Sequence, residues 1–382
     1  MDSNTYPKIY HLRSWSVIIS AIVFFILINI GIYFLFHDVD EKRLRFHIPT
    51  SYEEILAKID QVKADPNKKI IIFGASSMWG WGVSNVSDVA PVQFKKYVLP
   101  GVSVYNFSFA GARVLDEFAI VALLKNDADL FIVGIMPESL ENKYNIGVKD
   151  KYYNYIRIQS LLQKNYNYLF TQSPALKQCL LEYGVLPRKD ISFDLSRYIP
   201  SIRYRSDINE AVLGSNYELV FDEVLANILY AVKGQKVTLS NLFSSREKAA
   251  MAVPHPLVNS KFNYMPIPRY QPSINSCILQ AFAIYVADSK SPVLFYIAPS
   301  DPLLIYKSAI QTGVYHENNS FIKKIISPAK VDVLNVDSIN IKTENFNDPN
   351  HIDAIGHREF AAGVYQWLKI LPTSSVPGGL LK

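Results

Sequence analysis

Five short apolar runs, each bounded by turn residues, constrain the fold of this 382-residue chain more than any other feature. They read KIIIFG at 69–74, VSVYNFS at 102–108, DLFIVGIM at 129–136, SPVLFYIAP at 291–299 and VDVLNV at 331–336. Continuous runs of this kind are expected of strands covered on both faces. Helical patterns fall between them, most clearly at 114–125 and 353–370. A further helix, starting at Thr50 or Ser51 and aligning Ile55, Leu56, Ile59 and Val62, runs to about Asp65 and stops at Pro66. Strands alternating with helices predict an α/β fold: a doubly wound, mainly parallel five-stranded sheet of flavodoxin-like type. The rhythm fails between 141 and 290, which is rich in Tyr and Asn and then, over 254–272, in Pro. That stretch reads as a large insertion or cap. The expected organisation is therefore 1–37 as a tail and membrane helix, 38–140 and 291–382 as the two parts of the α/β domain, and 141–290 as the insertion.

The membrane helix is SWSVIISAIVFFILINIGIYFLF at 14–36, 23 residues without a charge. At 1.5 Å per residue it spans about 34 Å, enough for a bilayer core of about 30 Å. Summed hydropathy is about +52 for this segment and about +31 for the whole chain, so the remainder is slightly polar on average. Trp15 and Tyr33 stand where interfacial anchors would, and Asn29 is the only strongly polar interior residue. A cleaved signal has a shorter apolar region ending in small residues, whereas this run ends in Tyr33-Phe34-Leu35-Phe36-His37, so an uncleaved anchor in the lipid bilayer is expected. Lys8 and Arg13 precede the helix while Lys42, Arg43 and Arg45 follow it, and this balance does not fix orientation. An extracytoplasmic α/β domain is expected from the chemistry below.

Net charge is +5 and diffuse, with no basic cluster or basic-aromatic stripe, which argues against nucleic acid as a partner. Cys179 and Cys277 are the only cysteines, so no disulfide framework and no paired-cysteine metal or redox motif is present. An exported domain could pair them; two buried thiols are the other reading.

Two stretches carry chemistry. The first is Phe73-Gly74-Ala75-Ser76-Ser77-Met78-Trp79-Gly80, where a buried strand ends. Carboxyl ends of strands line the crevice of doubly wound sheets. A small-residue turn there exposes a hydroxyl, that of Ser76, at a helix N-terminus whose free N–H groups can hold an oxyanion. The same turn also reads as an ordinary helix cap. The second stretch is Asn347-Asp348-Pro349-Asn350-His351-Ile352-Asp353, followed by Gly356-His357. A serine nucleophile needs a base that titrates near neutrality and an acid that fixes the base's tautomer; Asp348 and His351 can form that unit. Asp353 caps the next helix in this reading. His351, Asp353 and His357 as metal ligands lack any supporting cluster, so neither metal nor cofactor is expected.

Together these residues resemble the SGNH (GDSL-type) hydrolase family. Its first block, Gly-Asp-Ser after the first strand, corresponds to Gly74-Ala75-Ser76, and its fifth, Asp-x-x-His, to Asp348 through His351. Its second block is matched by Asn106-Phe107-Ser108-Phe109-Ala110-Gly111-Ala112. The resemblance covers about 68–140 and 290–370. It implies Ser76 as nucleophile, His351 as base, Asp348 as orienting acid, and the N–H groups of Ser76 and Gly111 as oxyanion donors. Two departures stand out. Ala75 replaces the usual Asp, as in membrane-anchored members, and the third block, Gly-x-Asn-Asp, reads Gly134-Ile135-Met136-Pro137-Glu138. Methionine cannot donate to an oxyanion, and a lost donor costs about 100- to 1000-fold in rate. Either Asn142 or a neighbour substitutes, or the enzyme is slow, specialised or dependent on a partner. Trp79 is a candidate for stacking on a sugar ring, with packing under the crevice as the other reading.

The resemblance implies a membrane-anchored serine esterase acting on acyl, chiefly acetyl, esters of a cell-surface carbohydrate. An O-acyltransferase on a surface polysaccharide, working with a multi-pass membrane acyltransferase, and a non-catalytic envelope assembly protein are the alternatives.

Overall fold

The computed structural model describes residues 6–36, 52–74, 78, 80, 83, 86–109, 112–140, 169, 171–183, 269–300, 309–335, 339, 341–348 and 350–382. The chain divides into two compact units, 1–41 with 193–251 and 42–192 with 252–382.

In the first unit the described residues form one helix, α1 (Tyr6–Phe36), which is long and apolar enough to cross a membrane. Its side chains between Trp15 and Ile32 are almost all exposed, the opposite of a buried core helix. Asn29 donates its side-chain N–H to the Phe25 carbonyl at 2.9 Å, so the one polar residue is satisfied within its own helix.

The second unit is an α/β domain. Its sheet is five-stranded and wholly parallel: β1 (Lys68–Ile72), β2 (Val102–Asn106), β3 (Leu130–Ile135), β4 (Val293–Ile297) and β5 (Val333–Asn335), in the order β2-β1-β3-β4-β5. The described helices are α2 (Tyr52–Ala64), α3 (Ala90–Phe94), α4 (Val114–Leu124), α5 (Pro174–Glu182), α6 (Ile274–Ala287), α7 (Ala309–Ile326) and, later, α8 (Ala354–Ile370). A strand's period of two sends successive side chains to opposite faces. Ile71, Phe73, Phe131 and Phe295 face one apolar layer, built with α2, α4, α6 and α7; Ile70, Ile72, Leu294 and Tyr296 face the other, built with α3 and α8. Both faces are covered, which is why the runs are apolar throughout.

The α6 helix falls inside the stretch assigned to the insertion, yet it belongs to the sheet's helical layer. Phe282 stacks on Phe118 of α4 at 4.7 Å and meets Phe295 of β4 edge-on at 5.3 Å. Burying each such ring contributes about 1.5–3 kcal/mol. It lies on the chain between β3 and β4, where a parallel sheet requires a crossover helix. The α5 helix packs on α6, and Cys179 of α5 is disulfide-bonded to Cys277 of α6, their Cα atoms 5.8 Å apart. Residues 141–168 and 184–268 of the proposed insertion lie outside the described residues.

Candidate active site

The strand order reverses at β1, whose neighbours are β2 on one side and β3 on the other. In doubly wound sheets the crevice opens outside the carboxyl ends at such a switch point. The ladder runs one residue past β1 and β2: the Phe73 N–H donates to the Ile132 carbonyl and the Phe107 N–H to the Ile72 carbonyl, both at 2.8 Å. The chain then leaves the sheet at Gly74. Ala75, Ser76, Ser77, Trp79, Gly111 and Asn142 lie outside the described residues. Met78, two residues past Ser76, is fully buried in the same apolar layer as Ile352, the neighbour of His351.

Asp348 and His351 sit directly opposite each other in an antiparallel pair, β6 (Phe346–Asp348) and β7 (His351–Ile352). This pair is fixed at two ends. Ser300, just past β4, donates its hydroxyl to the Asn350 side-chain oxygen at 3.2 Å, tying the hairpin turn to the sheet's carboxyl edge. At the other end the Asp353 N–H donates to the Asn345 carbonyl at 2.8 Å, and the Asp353 carboxylate accepts the Ile355 and Gly356 N–H groups, each at 2.8 Å, capping α8. Gly356 is obligatory there, since a Cβ would lie 2.7 Å from the Asn345 carbonyl oxygen. Asp353 is thus a helix cap, and no group of three His, Cys, Asp or Glu suited to a metal occurs among the described residues.

Gly134, the expected first residue of the third block, lies inside β3 and has another reason to be glycine. The Tyr296 ring from β4 lies across it, and the Tyr296 hydroxyl donates to the Phe73 carbonyl at 2.8 Å. Burial, with the Glu117 charge beside it, holds this phenol well above its ordinary range, so it remains a neutral donor. Gly74 is constrained from the same side: a Cβ there would meet Met78 at 2.5 Å and the Tyr296 hydroxyl at 2.6 Å. Tyr296 therefore bolts together the carboxyl ends of β1, β3 and β4 where the chain leaves the sheet at Gly74. Met136, in the place of the third-block Asn, is half-buried, packs into both apolar layers and accepts the Ser139 hydroxyl on its carbonyl at 2.7 Å.

Sequence reading missed Lys58. It lies on the apolar stripe of α2, is fully buried, donates from Nζ to the Asn106 carbonyl at 2.6 Å and sits 5.4 Å from the centre of the Phe107 ring. The Asn106 side-chain oxygen in turn accepts the Ser108 N–H at 2.9 Å, so Lys58 pins the start of the second-block turn. The signal was available: a lysine three residues after Ile55 and four before Val62 shares their face. Lys58→Met leaves a buried carbonyl without this donor and should lower stability by about 1–3 kcal/mol. A melting temperature equal to that of wild type would contradict this.

Asp116 and Glu117 open α4, directly past the second block. Asp116 accepts the Arg113 N–H at 2.9 Å, and burial pushes its carboxyl from 3.8 up to about 7, opposed by that bond and by the Arg113 charge. Glu117 is raised well above its ordinary value by burial and by Asp116. A raised folded-state pKa means that the fold holds the proton more tightly than the unfolded chain. Asp116 thus contributes stability that is full below about pH 4 and is lost as pH rises through about 7. Asp116→Asn, which can still accept from Arg113, should be more stable than wild type at pH 8 by up to about 4 kcal/mol and should flatten the fall in stability between about pH 4 and 7, as read from denaturation across that range. An unchanged pH profile would contradict the assignment.

No protein-family model matches the chain, and no curated protein is significantly similar to it in sequence.

Proposed function

We propose that this chain is a single-pass membrane protein whose α/β domain is of SGNH type and cleaves acyl esters of a cell-surface carbohydrate through an acyl-Ser76 intermediate. The observation that carries the reading is the sheet order β2-β1-β3-β4-β5 with two features at its carboxyl edge: the Gly74 exit leading to Ser76, and the Asp348/His351 hairpin tied through Asn350 to Ser300. In this mechanism the Ser76 oxygen attacks the ester carbonyl carbon while His351 takes its proton, and Asp348 keeps His351 in the right tautomer. The N–H groups of Ser76 and Gly111 hold the oxyanion, with Asn142 as a third donor. Collapse breaks the bond to the sugar oxygen, which leaves with the proton from His351. Water then attacks the acyl-serine, returning Ser76 and releasing the acid. A sugar hydroxyl in place of water gives acyl transfer instead, and the membrane anchor favours that second reading by holding the site beside membrane-bound donors and glycans. Trp79 stacks on the sugar ring in either case.

The test is release of p-nitrophenol from p-nitrophenyl acetate by the full-length protein in detergent. Turnover above the buffer rate is expected, and its absence for both hydrolysis and transfer to an added sugar would leave the assembly-protein reading standing.

The Cys179–Cys277 bond supports an extracytoplasmic domain, because such bonds persist in oxidising compartments and are rare where glutathione keeps thiols reduced. Denatured full-length protein taken from membranes should gain two maleimide adducts only after reduction. Two adducts without reductant would put the domain on the cytoplasmic side.

A further inference from the structure

Ser76 and His351 come from opposite ends of the α/β sequence, and one side chain joins α8, which follows the His351 hairpin, to α3, which follows Ser76 along the chain. His357, on the second turn of α8, is fully buried, and its Nδ1 accepts the Ala90 N–H at 3.1 Å. Ala90 is the first residue of α3, and the capping position before it is Val89, which has no side-chain oxygen to offer. His357 therefore caps α3 from another helix. Val89 in turn packs closely against Gly80, which adopts φ +95° and where a Cβ would land on the Val89 side chain. On the other side, α8 carries the hairpin through Asp353, Asn345 and the close approach at Gly356, and the His357 N–H donates to the Asp353 carbonyl at 2.9 Å. A chain of contacts therefore runs from Gly80 through Val89, Ala90 and His357 to Asp353, two residues past His351. Burial, with His351 nearby, depresses His357 to about 3, so it stays neutral; with Nδ1 accepting, the ring proton sits on Nε2. The Arg358–Asp88 pair links α8 to the turn just before α3 at 4.0 Å, but it is largely exposed and contributes little.

We propose that His357 is a positioning residue that places the His351 base by tying α8 and its hairpin to α3 through its bond to Ala90. This rests on the acyl-serine reading above. A base displaced by about 1 Å costs on the order of 100-fold in rate, so the effect falls on kcat and not on substrate binding.

The test compares His357→Leu, His357→Asn and His357→Gln in the full-length protein, with p-nitrophenyl acetate kinetics and thermal melts. Asparagine presents its oxygen near the place of Nδ1; glutamine is one methylene longer and misplaces it. The expected result is a roughly 10- to 100-fold lower kcat with KM within about twofold for Leu and Gln, and kcat within about threefold of wild type for Asn. Equal kcat per folded molecule in all three variants, whatever their melting temperatures, would overturn the proposal. Should the leucine variant not fold, the Asn and Gln pair decides, and equal rates for those two overturn it. An inactive wild type fails the acyl-serine reading itself and takes this inference with it; an active wild type with an equally active, folded leucine variant fails this inference alone.

Discussion

Ser76→Ala is expected to lower p-nitrophenyl acetate turnover by the full-length protein by a factor of about 1000 or more, and His351→Ala by a comparable factor. The double variant should fall little further, because a serine without its base and a base without its serine lose the same step. Under the proposed acyl-serine mechanism the residual rate measures what the oxyanion donors supply alone, and Asp348→Asn is a gentler probe: the backbone pairing of Asp348 against His351 is kept, so the change would act on the tautomer and charge of the base and not on its location. Independent, multiplicative losses for Ser76 and His351 would mean that the two do not act as one unit.

Gly134→Ala should be among the most damaging single-methyl changes at the described glycines. The added Cβ meets the Tyr296 hydroxyl and ring together, and Tyr296 is fully buried, bonded to the Phe73 carbonyl and edge-on to Phe360 at 5.1 Å, so it has nowhere to go. Overpacking a filled core costs about 1–3 kcal/mol and more when the obstructed group is held by a hydrogen bond. Shifting Tyr296 would also withdraw the donor from Phe73, one residue before Gly74, so activity should fall alongside stability. Tyr296→Leu in the Gly134→Ala background should restore part of the lost stability, whereas Tyr296→Phe, which keeps the ring over the glycine, should not. Strictly additive effects of Gly134→Ala and Tyr296→Leu would contradict the contact.

The existence and type of the five strands were legible because strands covered on both faces leave no polar alternation to confuse with a helix. Their order was not, since nothing local tells β1 to pair with both β2 and β3. The run ends were read too long at Ser108 and Pro299, which stay buried after the last pairings, from the Phe107 N–H to Ile72 and from the Ala298 N–H to Ile135; burial outlasts pairing at the carboxyl edge. Gly134 invited the wrong explanation: a glycine near a strand end fits a loop motif, while its actual constraint comes from Tyr296, far away in sequence. Lys58 and His357 escaped for a related reason. Each is polar, each is held by a backbone group of a distant element, and a sequence shows neither the carbonyl of Asn106 nor the N–H of Ala90 as a partner. The helix α6 was absorbed into the insertion because the Pro-rich stretch before it masked the return to sheet packing.

Covalent labelling of the full-length protein by a fluorophosphonate probe, with the adduct located by peptide mass spectrometry, tests the acyl-serine mechanism. A single adduct on Ser76 is expected, lost in Ser76→Ala and strongly slowed in His351→Ala. An adduct on Ser77, or none on the segment after Gly74 in protein that turns over the ester, would contradict it.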